Sequence, residues 1–565
     1  MKKTRLLLLA LVSWAVWVQS AYAAGPTIKA GGISNNLAAA SVRTVTLSEL
    51  PAATAQDLAG ASAVAVRPRV PGYTEAQWNA LKNQLRQESL AHGGLTGNTS
   101  PQVQRMAMPD TPFSPKTFVG LDASCSFVTP SDMGIAAGGS AVLQVVNSCI
   151  TVKSKTTGKN LPGYPKSLGQ FLACGCFPFD PRLTYDVITG HYILTADASP
   201  TIYLAVSATS NPAGLWYVYS FNFDQGTGNF ADFPTLGYDR EAIYIGINDF
   251  INGGGFTNEL WVINKAQAES GIPPTWYDWF GICLNTSLGC EQLDSLQPMN
   301  LAGPYDQPRA EYVVSSFNGS TAAGVGCGTL SAPCNALMVL SFSGTWTTPT
   351  FSGAVVGTPA TYAYPTAADE AFCAGCVDTG DMRVTGNVQY MGGSLYPTLT
   401  TSIGGAENTT LTFEVHPFVN TAANAQIIGA AIPNAMEYGD FGGVGTNGSA
   451  YYGTVQPNTD GDLTMVFAYS DDNSYPGVAY ISHRTSTPYF TWNSLADSGF
   501  YLKAGQVYYN EGRWGDYSGT AIEYNSKTHQ VNTWFSGMFS SNVPGITNSW
   551  STAIGYNAFS DPTQP

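Results

Sequence analysis

One pattern recurs seven times between residues 130 and 565. A turn residue, most often Asp, leads into a β-rich run, a short hairpin and a second β-rich run. The units are "PSDMGIAAGGSAVLQVVN" near 130, "DPRLTYDVITGHYILTA" from Asp180, "DFPTLGYDREAIYIGINDF" from Asp232 and "GPYDQPRAEYVVSSF" from Gly303. They continue with "DMRVTGNVQYMGGSLYPTL" from Asp381, "YGTVQPNTDGDLTMVFAYS" from Tyr452 and "GDYSGTAIEYNSKTHQVNTWFSGMF" from Gly515. The period is roughly 62 residues, a little above the ~40–50 of common propeller repeats. A four-stranded unit has two apolar faces and cannot cover both alone. Radial packing covers face with face and leaves only short edges. The pattern therefore predicts an all-β fold, a β-propeller of seven four-stranded blades, with six or eight as alternatives. A β-helix needs a shorter period, and tandem sandwiches need linkers that the chain lacks after residue 115. No amphipathic helix follows that point, which excludes a parallel α/β fold.

Composition agrees: 60 Gly, 34 Pro and 12% aromatic residues suit a turn-rich β protein. The start, "MKKTRLLLLALVSWAVWVQSAYA", has the layout of an export signal. Lys2, Lys3 and Arg5 precede an apolar run, and Ala21 and Ala23 form an A-x-A cleavage site. Residues 1–23 are read as a signal peptide, and the protein as secreted, periplasmic or on the cell surface. Cleavage moves the formal charge from −15 to −18. With a pI near 4.7, this argues against nucleic acid and anionic membrane surfaces as partners. No later apolar run is long enough to span a bilayer, and a monomer is expected. Residues 24–114 read as a loose N-terminal extension of low complexity, with one helix near 74–91. Thr74 is its expected N-cap, and Ala76, Trp78, Leu81, Leu85 and Leu90 its apolar stripe. Residues 115–565 are the propeller.

All ten cysteines lie after residue 120, and disulfides are the default in an exported chain. Cys283 with Cys290, and Cys327 with Cys334, read as local loop staples. Cys125, Cys149, Cys174, Cys176, Cys373 and Cys376 leave 15 possible connectivities. "CAGC", Cys373 to Cys376, is followed by Val377 and fails as a haem attachment site. It is open to three readings: a structural disulfide, a redox pair, or half of a zinc site with "CGC" at Cys174 to Cys176.

Several long motifs in one order resemble a family of exported bacterial β-propellers. "TPSDMGIAAGGSAVLQVVNSCITVKSKTTGKNL" is similar to that family's opening blade. "DPRLTYDVITGHYILTADA", "DFPTLGYDREAIYIGINDF" and "RWGDYSGTAIEYNSKTHQVNTWFSGMF" are similar to later blades, including the Asp-aromatic-Pro and Trp-Gly-Asp-Tyr-Ser motifs. The resemblance covers roughly 115–560. It implies a propeller loosely similar in architecture to sialidases and WD40 proteins, and no settled common activity. "GPYDQPRAEYVVSSF" departs as a weak blade opener, and "IEYNSKTHQ" replaces the usual Asp-Pro hairpin.

The first strand of a propeller blade lines the central channel, so residues just before it gather at one mouth. Asp132, Asp180, Asp232, Asp381 and Asp516 hold that position in five units. Such a ring forms an electronegative funnel that could hold Ca²⁺ through oxygen ligands, with Asp232 and Asp516 as the candidate metal ligands. The plainer reading is that each Asp caps its own turn. Arg182 and Arg383, two residues after two of these acids, would neutralise part of the ring. With Arg513, Trp514 and Tyr517 they complete the candidate ligand-binding set at the mouth. No catalytic residue is assigned: an Asp-box of the Ser-x-Asp-x-Gly-x-x-Trp type, a G-x-S-x-G elbow and a histidine zinc motif are all missing. "NTDGD", Asn458 to Asp462, reads as a hairpin turn. The functional expectation is a non-catalytic propeller that binds glycan, protein or cell-surface material through its channel mouth and loops. The alternatives are a glycan-active hydrolase or lyase, and a purely structural surface protein.

Overall fold

The computed structural model describes residues 27–35, 41–54, 72–92, 116–126, 128–139, 141–223, 227–286, 289–318, 326–346, 348–417, 426–428, 448–483, 500–509, 512–525, 530–547 and 549–557. The expected signal peptide lies outside them.

The β-branched and aromatic runs form antiparallel sheets, and several of their inner and middle strands are buried on both faces. Ala141–Val146, for example, is buried at every position. Among the described residues, the innermost strands are Gly134–Gly138, Phe179–Tyr185, Phe230–Tyr238, Gln297–Leu301, Val388–Met391, Ser449–Pro457 and Gly519–Asn525. Each packs against the next, and Gly519–Asn525 packs back against Gly134–Gly138. Further antiparallel strands run outwards from each one. This closed ring of sheets is a β-propeller. In the fifth blade the hairpin of Thr398–Gly404 and Glu407–Thr412 prolongs the two middle strands beyond Pro397. Proline has no N–H for the ladder and interrupts it there.

The fourth blade opens earlier than its sequence unit suggests. Its inner strand is Gln297–Leu301, preceded by Asp294 and by Ser295 at φ 51°. "GPYDQPRAEYVVSSF" instead supplies a turn and the second strand, Glu311–Ser316. Asp294 is thus an opening acid that the repeat pattern hid.

Both ends of the propeller segment build the last blade. Lys116–Asp122 pairs antiparallel with Trp550–Asn557 and forms its outermost strand. The approach is close at Gly120, where a Cβ would lie 2.2 Å from Thr552 Oγ1 and 2.5 Å from Gln144 Oε1. Gln144 fastens this corner to the first blade. Its Oε1 accepts the Leu121 N–H at 2.9 Å, and its Nε2 donates to Ser536 Oγ at 2.9 Å and Thr552 Oγ1 at 3.0 Å.

The described parts of the N-terminal extension are tied to this ring. Gly32–Asn35 adds to the edge of the third blade beside Trp276–Phe280, and Ser41–Thr46 to the second beside Leu215–Asn222. Helix α1, Glu75–His92, begins at a capping box. Thr74 N donates to Gln77 Oε1 at 2.8 Å, and Gln77 N to Thr74 Oγ1 at 3.3 Å. Trp78, Leu81 and Leu85 pack on the core, whereas Leu90 is exposed. The stripe is short, and polar bonds complete the docking. Lys82 donates to Pro365 O at 2.5 Å and Gly380 O at 2.6 Å, and Arg86 to Asp369 Oδ1 at 2.6 Å.

Five disulfides close locally: Cys125–Cys149, Cys174–Cys176, Cys283–Cys290, Cys327–Cys334 and Cys373–Cys376. "CGC" and "CAGC" are each closed on themselves, which removes the shared zinc site. "NTDGD" is a hairpin turn whose Asn458 Oδ1 accepts the N–H groups of Asp460 and Asp462, both at 2.9 Å. Among the described residues no helix is long and apolar enough to cross a membrane.

Replacing Gln144 by Ala removes the partner of the buried Leu121 N–H and of the Ser536 hydroxyl, and one of the two bonds of Thr552, which still donates to Leu121 O. The expected loss is about 2–4 kcal/mol of unfolding free energy, read by urea denaturation. A loss below about 0.5 kcal/mol would show that this amide does not hold the corner.

Candidate functional site

Asparagines in or just after the second strands of three blades fix the channel mouth. Asn147 Nδ2 donates to Asp132 Oδ2 at 2.7 Å, while its Oδ1 accepts the N–H of Asp180, where the second blade opens, at 2.8 Å. Asn248 Nδ2 donates to Asp294 Oδ1 at 2.9 Å, and its Oδ1 accepts the Ser295 N–H of the fourth blade at 2.9 Å. Asn318 Nδ2 donates to Asp294 Oδ2 at 2.5 Å, and its Oδ1 accepts the Met382 N–H of the fifth blade at 3.1 Å. Between the last and first blades a carboxylate takes this part: Asp132 Oδ1 accepts the Asp516 N–H at 2.9 Å. These asparagines were missed in the sequence. The visible signal was an Asn closing each β-rich run, in "QVVN", "IGIN" and "SSFN".

The opening acids differ in what they do. Asp132 and Asp294 receive bonds from neighbouring blades. Asp381 follows the turn-cap expectation, accepting its own Arg383 N–H at 3.0 Å. It also binds the Arg383 guanidinium, at 2.8 Å to Nε and 2.7 Å to Nη2. Asp516 is paired with Arg513. Asp180 is 1% exposed, and neither of its carboxylate oxygens has a hydrogen-bond partner. Asp132, Asp180 and Asp516 bring oxygens within 4.8 Å of one another. Asp232 is buried nearby and raises Asp180 by its charge, but it is not a member of this trio. Of the two acids expected as metal ligands, Asp516 falls in this trio and Asp232 lies beside it.

Arg182 does not pair with Asp180 by hydrogen bonds. Its Nε donates to Pro234 O at 3.1 Å and its Nη1 to Thr385 O of the fifth blade at 2.9 Å, so the side chain spans the channel. The guanidinium lies 3.4 Å from the Tyr517 ring centroid and 4.6 Å from that of Phe233. Arg383 lies on the same Phe233 ring at 4.5 Å. Tyr517 donates its hydroxyl to Pro181 O at 3.0 Å and is a buried wall residue. Trp514, expected at the mouth, is only 1% exposed and packs edge-on against Tyr509 at 4.8 Å. It has no face to offer a ligand, because the indole fills the core beside the closing blade.

Above this floor lies a cavity of about 1280 Å³. Asp381, Arg383, Arg513 and Asp516 border it from below, and Tyr73, Gln77, Trp78 and Asn79 of the α1 region from one side. Phe230, Phe250 and Phe256 of the third blade, with Asn229, Asn252 and Gln292, border it from another. The loop Gly253, Gly254 and Gly255, all at positive φ, joins Phe250 to Phe256. The α1 and third-blade residues fell outside the expected site, because the repeat pattern shows blade openings and not which loops lean over the mouth.

Burial pushes the Asp180 carboxyl up to about 8, with the charges of Asp232 and Asp516 adding to the effect. Asp132 is raised well above the carboxylate range by burial and by Asp516 and Asp180. Burial would also raise Asp381, but Arg383 outweighs it and holds that carboxyl below its usual value. Glu370 stands behind the site. Burial raises it to about 7, against the bond it accepts from Tyr509 N at 3.0 Å. Tyr509 in turn donates to Arg513 O at 2.8 Å.

No family model matches the sequence, and no curated protein matches it. Among solved structures, the chain is similar to an exo-β-1,3-galactanase from Phanerochaete chrysosporium solved with galactose. That pair is 10% identical over 79% of this chain and 98% of the other, with a TM-score of 0.28. It is also similar to a mutant Trypanosoma rangeli sialidase with trans-sialidase activity, 10% identical over 73% of this chain and 57% of the other, with a TM-score of 0.31. The WD40 domain of SCAP from fission yeast is 10% identical over 80% of this chain and 98% of the other, also at 0.31. Alignments this loose transfer no chemistry, and the architecture rests on the sheets themselves.

Two outcomes test the site. Arg513→Met leaves Asp516 unpaired among other buried acids, and about 3–5 kcal/mol of stability is expected to be lost in urea unfolding. Because the folded-state pKa of Glu370 is raised, its protonated form favours the fold. That contribution is present below about pH 4.5 and fades as pH rises through about 7. Glu370→Gln should therefore lose less Tm than the parent between pH 5 and pH 8. Parallel pH profiles would show that Glu370 is not the group concerned.

Proposed function

We propose that this is an exported, non-catalytic propeller that binds a glycan in its mouth cavity. The supporting observation is the lining: the aromatic side chains of Phe230, Phe250, Phe256 and Trp78 and the amide side chains of Asn229, Asn252, Gln77 and Gln292 border one cavity. Sugar rings present apolar C–H faces and hydroxyl edges, and this combination answers both. The local disulfides suit an oxidising compartment.

Two of the carboxylates that border the cavity, Asp381 and Asp516, are each held by an arginine. Arg383 holds the Asp381 carboxyl below its usual value, which makes it a poor proton donor at neutral pH, and glycoside hydrolysis needs one carboxyl kept protonated. The carboxyl raised to about 8, Asp180, is not among the residues that line the cavity. This favours binding over hydrolysis. The guanidiniums of Arg383 and Arg513 arrive already neutralised, so the ligand need not be acidic.

The test is a glycan array followed by calorimetry on the best ligand. Phe256→Ala is expected to weaken binding about tenfold with an unchanged Tm. Release of reducing ends from any bound glycan would replace this reading with the hydrolase or lyase. A blank array would leave the structural one.

A further inference from the structure

Buried carboxyl groups crowd the floor of the channel. Asp132, Asp180 and Asp516 come from three blade openings, are 0%, 1% and 5% exposed, and place oxygens within 4.8 Å of one another. Two bonds of about 2.3–2.6 Å to a single calcium ion span that distance. Asp197 and Asp232 are also buried and close enough to act on Asp180 or on each other. Arg182 and Arg513 act on this group of carboxyls, and Arg383 acts on Asp516 as well as on its own partner Asp381.

Hydrogen bonds explain why two of the trio are there. Asp132 clamps Asn147 and the Asp516 N–H, and Asp516 pairs with Arg513. They do not explain Asp180, whose two buried oxygens have no hydrogen-bond partner among the described residues. A carboxylate withdrawn from water without donors is among the costliest groups a fold can hold, unless a cation coordinates it. The donors are all oxygen, which selects a hard cation over zinc or copper. Asp516 borders the mouth cavity and gives an entry path.

We infer that Asp132, Asp180 and Asp516 hold one calcium-class divalent cation, with Asp180 present for that purpose alone. The ion ties the first, second and last blades together where the ring closes. This inference does not depend on what the mouth cavity binds.

The full chain, stripped with EDTA, is titrated with CaCl₂ by calorimetry and melted with and without it. One ion per chain and a higher Tm are expected. Asp180 sits at φ 48°, a left-handed conformation that Asn also accepts, so Asp180→Asn should fold. That variant is expected to bind no ion at this site and, without calcium, to melt no lower than the parent. Asp460→Asn, in the exposed "NTDGD" turn, should keep the parent's stoichiometry and Tm rise. Terbium luminescence of the unmutated chain, displaced by calcium, gives a readout free of mutation. An unmutated chain that binds neither ion overturns the inference. So does an Asp180→Asn variant that keeps the parent's stoichiometry.

Discussion

A buried carboxamide that serves two blades at once holds the middle of this molecule together. Asn147, Asn248 and Asn318 each donate to an opening acid and accept the N–H at which a following blade begins. Sheets stacked face to face are held mainly by apolar contact, which has no direction. The amide supplies direction: it fixes where each inner strand starts and how far it stands from its neighbour. Asp132 does the same across the closing gap with Asp516, which is why acids accumulate at this end of the channel.

That accumulation shapes the chemistry of the mouth. Two of the acids that face the cavity are each accompanied by an arginine, Asp381 by Arg383 and Asp516 by Arg513. Where an acid lies deeper, as with Asp180, no such partner reaches it, because Arg182 is committed to carbonyls across the channel and to the Tyr517 ring. Those two pairs bring little net charge to the cavity, whereas the deeper Asp180 has no such pair. The cavity presents aromatic and amide side chains, while the carboxyl groups of Asp132 and Asp180 on the floor lie beyond it.

The repeat of Asp, strand and hairpin made the propeller legible, because a two-faced sheet has few ways to be covered. It also made most of the opening acids legible. Asp294 was hidden because its strand, "LDSLQPMNLAG", lacks the aromatic and β-branched richness of the other openers. Trp514 and Tyr517 looked like ligand contacts because a short motif does not reveal which face of a turn is covered. The third-blade loop and α1 were invisible as site residues because their contribution comes from long-range packing. Lys82 finds its partners nearly three hundred residues away, at Pro365 and Gly380.

The outermost strand of the last blade, Lys116–Asp122, has a consequence for how the chain reaches its final form. It is synthesised before any blade, yet its partner Trp550–Asn557 comes from the far end. Intermediate lengths of chain can form individual sheets but cannot complete the ring, so their outer faces and edges stay open until synthesis is nearly finished. Loss of the final strand opens the circle as surely as loss of the first. Only a chain intact from residue 116 to residue 557 has no unclosed edge at that corner, so the folded ring is itself a record that the whole propeller was made.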